Sequence, residues 1–217
     1  LSIVQARKEI NLFAERMRRM FGMLNELLHT TNENDFNKLF SRIEKYENIS
    51  DNMELEIANY LNKVSEGRLS SESKLEIRGM LREVTEIESI GDSCYNLART
   101  INRKRSGGND FTEKQYEHIH QMMQLTNDAL AHMIAVVEDD HHVVDVNKSF
   151  NIENEINNYR AQLKNQNVVD VNNKEYDYQM GVHYMDIIGE CEKLGDYVVN
   201  VVEARTNVKE KKTGDNR

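Results

Sequence analysis

Proline is absent from this chain, cysteine occurs twice, and glycine ten times in 217 residues. Without proline no ring breaks a helix, and so few glycines leave little material for turn-rich β architecture, so long helices are expected. Cys94 and Cys191 form no metal-type pair in sequence, and a reduced cytosolic setting suits them better than a disulfide scaffold. No apolar run approaches the roughly 18 residues that span a bilayer, and no signal peptide is visible. An excess of positive charge is also missing. Twenty-eight Lys and Arg stand against 37 Asp and Glu, a net charge of -9, which argues against nucleic acid, where affinity depends on neutralising phosphates. What remains is 39% hydrophobic and 30% charged, the composition of a globular chain long enough for one large domain or two small ones. It begins at Leu1 rather than Met, inside a helical pattern, as a fragment of something longer would.

Hydrophobic spacing predicts six helices. In the first, Ile10, Phe13, Met17, Met20, Leu24 and Leu27 recur at steps of three and four on one stripe. A break at 30–35 precedes a second helix, with Leu39, Ile43, Ile49, Met53, Ile57 and Leu61 directed inward. "SEGRLSS" breaks the pattern again, and Ser70 or Ser71 caps a third helix that runs to about Arg105. "SGGND" at 106–110 is the strongest punctuation in the chain. Thr112 and Gln115 then have capping-box spacing, with Phe111 placed to staple onto Tyr116. The fourth helix runs toward Glu138, and "DDHHVVD" is either a turn or more helix. A fifth is expected over 146–165, "NQNVVDVNN" as a separator, and a sixth after Asn172 and Glu175, which imitate a capping box. The expected organisation is all-α: two tandem three-helix bundles over 1–105 and 112–208, a linker at 106–111, and a frayed tail at 209–217.

Duplication is visible in the third and sixth helices. Glu88, Gly91, Asp92 and Asn96 recur as Glu192, Gly195, Asp196 and Asn200, at one constant offset. Upstream, Glu47 and Asp51 recur as Glu153 and Asn157. Residues four apart stack on one helical face, so Glu88 with Asp92 and Glu192 with Asp196 each present two carboxylates together. Unpartnered, such a pair costs roughly 0.2–0.5 kcal/mol, and the neighbouring glycine up to about 1 kcal/mol more relative to Ala. A divalent or trivalent cation reverses the sign of the first cost, and hard oxygen ligands suit Mg, Mn, Ca or iron. With 37 acids in the chain, one such pair arises easily by chance. The weight lies in several pairs recurring on helices that a bundle can bring together.

Glu88-Ser-Ile-Gly-Asp92 followed by Asn96-Leu-Ala-Arg, with "IEKYENISDNME" upstream, resembles the signature of PhoU-like phosphate regulatory proteins. The resemblance covers nearly the whole chain, most specifically 43–60, 83–101 and 187–204. It implies a duplicated three-helix bundle whose Glu/Asp-x-x-x-Asp motifs line acidic patches holding mono- or multinuclear metal, iron, zinc or manganese being the candidates. By that resemblance Glu47, Asp51, Glu88 and Asp92 form one metal-binding patch, and Glu153, Glu192 and Asp196 the other. Asn157 departs from the pattern, and its weaker amide implies fewer metal ions there, or none. The second-half pattern "NIENEINNYRAQL" with "GECEKLGDYVVNVVEA" is similar to the soluble tail of bacterial sodium/phosphate cotransporters. This implies a regulatory domain on the cytoplasmic side of the membrane. Its partners would be the membrane-embedded transporter portion of the same polypeptide and a second copy of the domain. Nothing in the resemblance implies catalysis.

Two rival readings follow from the residues. One is a metal-free helical scaffold that only oligomerises. The other is a di-metal carboxylate oxidase, for which Glu117 to His120 and Glu138 to His141 supply Glu-x-x-His motifs. Those motifs fall 21 residues apart along one expected helix, roughly 30 Å at 1.5 Å per residue, too far to share a site. The run Asp139, Asp140, His141, His142 could bind a transition metal but reads better as a solvated helix end. His183 with Asp186 is a single pair and weak. The methionines, Cys94 and the Arg103–Arg105 run read as core filler, packing and helix-end cations.

Overall fold

The computed structural model describes residues 2–207, so the tail expected at 209–217 and the last residue of the second repeat lie outside the described residues. Six helices follow one another: α1 (Ile3–His29), α2 (Glu33–Ser65), α3 (Ser71–Ser106), α4 (Glu113–Val137), α5 (Asn147–Asn172) and α6 (Tyr178–Thr206), with no strand among the described residues. Five of them begin on a side chain that accepts a hydrogen bond from a backbone N–H of the first turn: Ser2, Asn32, Ser70, Thr112 and Asp177. Such caps satisfy donors a helix otherwise leaves orphaned. At Thr112 the capping box with Gln115 is complete, and the Phe111 ring meets the Tyr116 ring at 5.5 Å.

Helices α1, α2 and α3 pack on one another, as do α4, α5 and α6, and the two bundles join where α3 lies along α6 and α1 meets α4. One continuous hydrophobic cluster runs through both. All six residues of the α1 stripe are completely buried. The outer helix α2 touches only α1 and α3, so it buries a narrower face. Ile43, Ile57 and Leu61 are buried, while Leu39, Ile49 and Met53 stay half-buried.

Polar contacts tie the halves at matching places. Asn96 donates to Glu190 at 3.4 Å, and Asn200 donates to Glu86 at 3.1 Å. These asparagines are the repeated motif residues, and each reaches the other copy two residues ahead of its motif glutamate. Arg105 donates to the Thr30 and Thr31 carbonyls past the end of α1, and Arg205 to the Val137 and Asp139 carbonyls at the end of α4. Cations there satisfy orphan carbonyls and oppose the negative end of the helix dipole.

Two local expectations need correcting. The stretch "NQNVVDVNN" is not a separator, because α5 continues through it to Asn172. α6 is capped by Asp177, not by Asn172 with Glu175. Asn and Val are modest helix formers, but packing overrides them here. Gly181 of α6 lets α5 come so close that an added Cβ would lie 3.0 Å from Val171 Cγ2 and 3.1 Å from Asn167 Oδ1. Asn167 also accepts from the Tyr176 hydroxyl at 2.6 Å. The ambiguous "DDHHVVD" is a turn: Asp139 accepts from the His141 and Val144 amides, and His142 takes a left-handed φ of 56°.

Candidate metal centre

Helix spacing sets out the site. On α2, Glu47 and Asp51 lie one turn apart, and on α3 so do Glu88 and Asp92, so wherever the two faces meet four carboxylates converge. They do meet: one oxygen from each of Glu47, Asp51, Glu88 and Asp92 lies within 4.8 Å of all the others. Glu47 and Glu88 are half-buried, and Asp51 and Asp92 line the exposed rim. Glu54, one further turn along α2, extends the patch, since its carboxyl interacts with both Asp51 and Asp92.

Gly91 allows this approach. A Cβ built there would sit 2.9 Å from both Met17 Sδ and Ser50 Oγ, and 3.5 Å from Glu47 Oε2. The glycine between the motif acids therefore lets α1 and α2 close onto α3, as its absent side chain permits. The equivalent Gly195 is less constrained, its added Cβ meeting only Ile156, at 3.4 Å and 3.8 Å.

The electrostatics of the patch are those of crowded carboxylates that raise one another's proton affinity. Burial pushes the Glu47 carboxyl up to about 8, with the shared hydrogen bond and charge of Asp92 and the charge of Asp51 adding to it. Burial pushes Glu88 up to about 9, again reinforced by Asp92 and Asp51. Among the described residues, Arg99 is the base that opposes this shift at Glu47, and its guanidinium lies over the Tyr95 ring, 5.0 Å from the centroid. Two buried oxygens beside the carboxylates, Glu47 Oε2 and Ser50 Oγ, find no hydrogen-bond donor. Hard oxygen donors, two buried oxygens without a hydrogen-bond donor, and carboxyls raised by burial and by one another's charge suit Mg, Mn, Zn or iron. Glu47, Asp51, Glu88 and Asp92 are the residues that would hold it.

The second patch is built differently. Glu153 is buried on α5, Glu192 is half-buried on α6, and Asp196 is exposed. Arg160 Nε lies 3.6 Å from Glu192 Oε1. Among the described residues, only the first patch brings three or more acid, His or Cys side chains within ligand range of one another. The other motifs are dispersed. His118 Nδ1 bonds the Tyr184 hydroxyl at 2.8 Å, and His120 contacts His29 across α1 and α4. His141 and His142 are exposed on the turn, and His183 is buried beside Gln179. Both cysteines are free and fully buried, and burial raises their thiols. Reading the motifs in pairs missed Glu54 and Ser50. The 47, 51, 54 spacing (four then three) was the available signal for Glu54; nothing in sequence marks Ser50.

Comparison with known proteins places this geometry in a family. The PhoU domain matches twice, over residues 10–101 and 119–204. The phosphate transport system regulatory protein PhoU from Streptococcus pneumoniae shares the fold with a TM-score of 0.74 at 16% identity, over 93% of this chain and 91% of that one. PhoU from Pseudomonas aeruginosa aligns with a TM-score of 0.71 at 15% identity, over 94% of each chain. No curated protein sequence matches. With one copy of the domain in each three-helix bundle, the chain belongs to the PhoU family.

Proposed function

We propose that this chain regulates phosphate transport, and that it does so through a metal-holding face formed by α2 and α3. The two domain matches support the regulatory reading, together with a solved relative named as a phosphate transport system regulator. The metal reading is carried by one observation, the convergence of Glu47, Asp51, Glu88 and Asp92 within 4.8 Å. The chain is not assigned a reaction, and metal here is structural: it neutralises the carboxylates and fixes the α2–α3 face that a partner recognises.

The partner proposed is the membrane-embedded part of a sodium-dependent phosphate transporter, with this domain as its tail on the cytoplasmic side. Motif resemblance supports that choice. No helix among the described residues is long and apolar enough to cross a membrane, so in this reading the spanning part belongs elsewhere in the polypeptide. A second copy of the domain is the alternative contact for the same face.

Phosphate uptake by cells carrying the native chain, compared with cells carrying Glu88→Ala/Asp92→Ala, tests the reading. Altered uptake in the variant, at equal protein level, is the expected result. Unchanged uptake in the variant and in cells lacking the chain would overturn the regulatory role.

A further inference from the structure

The glycine contacts set the register between the two patches. Gly91 lies against Ser50 of α2, and Gly195 lies against Ile156 of α5. Matching those contacts pairs Glu47 with Glu153, Asp51 with Asn157 and Glu54 with Arg160, by the same shift along the chain. On the facing helices Glu88 and Asp92 pair with Glu192 and Asp196.

The two sites have therefore diverged at every α2/α5 position that matters except the first glutamate. A carboxylate has become an amide, a second carboxylate has become a guanidinium, and a buried hydroxyl has become an alkyl group. Arg160 is not a bystander at the rim. Its Nε lies 3.6 Å from Glu192 Oε1 and is buried there without a hydrogen bond. Lys164, one turn further along α5, acts on the same carboxylate. The first patch offers five carboxyls, and Arg99 acts on Glu47 among them. A free cation approaching the second patch meets fewer oxygen ligands and a fixed positive charge already in place.

We propose that Arg160 serves as a tethered cation in the second patch, taking the place of metal, so that the chain loads metal on its first half alone. The biological sense of this rests on the first patch being a metal centre. One face of the molecule then changes its charge with metal supply, and the other does not.

Manganese(II) and zinc(II) are loaded onto the full chain, excess ion is removed by desalting, and bound metal is measured by elemental analysis. The Glu192→Gln/Asp196→Asn chain should retain the native metal content. The Arg160→Glu/Asn157→Asp chain should bind more than native, approaching twice as much. In a Glu88→Gln/Asp92→Asn background, the same Arg160→Glu/Asn157→Asp change should restore binding that its parent lacks. Loss of native metal on Glu192→Gln/Asp196→Asn would overturn the proposal. So would a folded Arg160→Glu/Asn157→Asp chain that binds no more than native. Should that chain fail to fold by circular dichroism, Arg160→Gln/Asn157→Asp asks the same question with the positive charge merely removed. A native chain that binds no metal overturns the first-patch reading and the loading of the first half with it. The role of Arg160 is then decided separately, since metal gained by the Arg160→Glu/Asn157→Asp chain supports it and no gain overturns it.

Discussion

A methyl group added at Gly91 has to displace Met17 Sδ and Ser50 Oγ, each 2.9 Å from where it would sit. Overpacking of this kind costs typically about 1–3 kcal/mol, offset by up to about 1 kcal/mol of better helix propensity. Gly91→Ala should lower stability by about 1 kcal/mol, and Gly195→Ala, meeting only Ile156 at 3.4 Å, should be neutral or mildly stabilising. Urea unfolding of the two variants checks the difference. The carboxyls predict a pH dependence with a definite sign. Glu47 and Glu88 bind protons more tightly in the fold, up to about 8 and about 9, than at the ordinary value of 4.5. Metal-free protein is therefore favoured at low pH, and that contribution is lost as pH rises from about 4.5 through about 9. Metal binding displaces the same protons, so manganese affinity should increase over that interval. Melting temperature of metal-free protein against pH, with Glu88→Gln flattening the decline, checks the first statement. Calorimetric titration at pH 6 and at pH 8.5 checks the second.

At the scale of the helix, α1 and α3 are joined by a buried pair. Arg7 donates to both Glu83 oxygens at 2.7 Å and 3.0 Å, and the two side chains are only 13% and 1% exposed. Burial pushes the Glu83 carboxyl up, and the hydrogen bonds and charge of Arg7 oppose that shift without cancelling it. Removing one partner strands the other, so Arg7→Ala should cost about 3–5 kcal/mol, whereas Arg7→Met/Glu83→Leu should recover most of it. Equilibrium denaturation of the single and double variants distinguishes these outcomes. Nothing in the periodicity marks this pair, because residues so far apart in sequence show no spacing signal. The starts of α3 and α4 were legible for the opposite reason: Ser70 and Thr112 cap through side chains three residues from their partners, a purely local interaction, whereas the start of α6 at Asp177 was misplaced onto Asn172. The end of α5 was not legible. Asn167, Val168, Val169 and Val171 have the composition of a break, yet the close approach of Gly181 and the bond from Tyr176 keep that turn helical. Long-range packing decided what local propensity could not.

Across the whole molecule, the repeat explains the pairing of α3 with α6. Asn96 and Asn200 each bond a glutamate of the opposite copy, so the two motif helices clasp one another by equivalent contacts. The duplication, the all-α class and the separate Glu47–Asp51 and Glu88–Asp92 pairs could be read from the chain because they are periodic, and periodicity survives in one dimension. Grouping the two pairs into one patch was what the family resemblance implied. The unequal chemistry of the halves could be read only in part. Asn157 was visible as a departure, but the meaning of Arg160 needed the geometry that brings it to Glu192. In the proposed role, the α2–α3 face of this PhoU-family chain holds metal. Elemental analysis of protein purified without chelator or affinity metal column, beside a Glu88→Ala/Asp92→Ala variant, tests it most directly. Stoichiometric metal in the native chain, lost in the variant, is the predicted result. No metal in either sample, even after loading with iron, zinc and manganese, would contradict the claim and leave "ESIGD" as the packing signature of a metal-free helical scaffold.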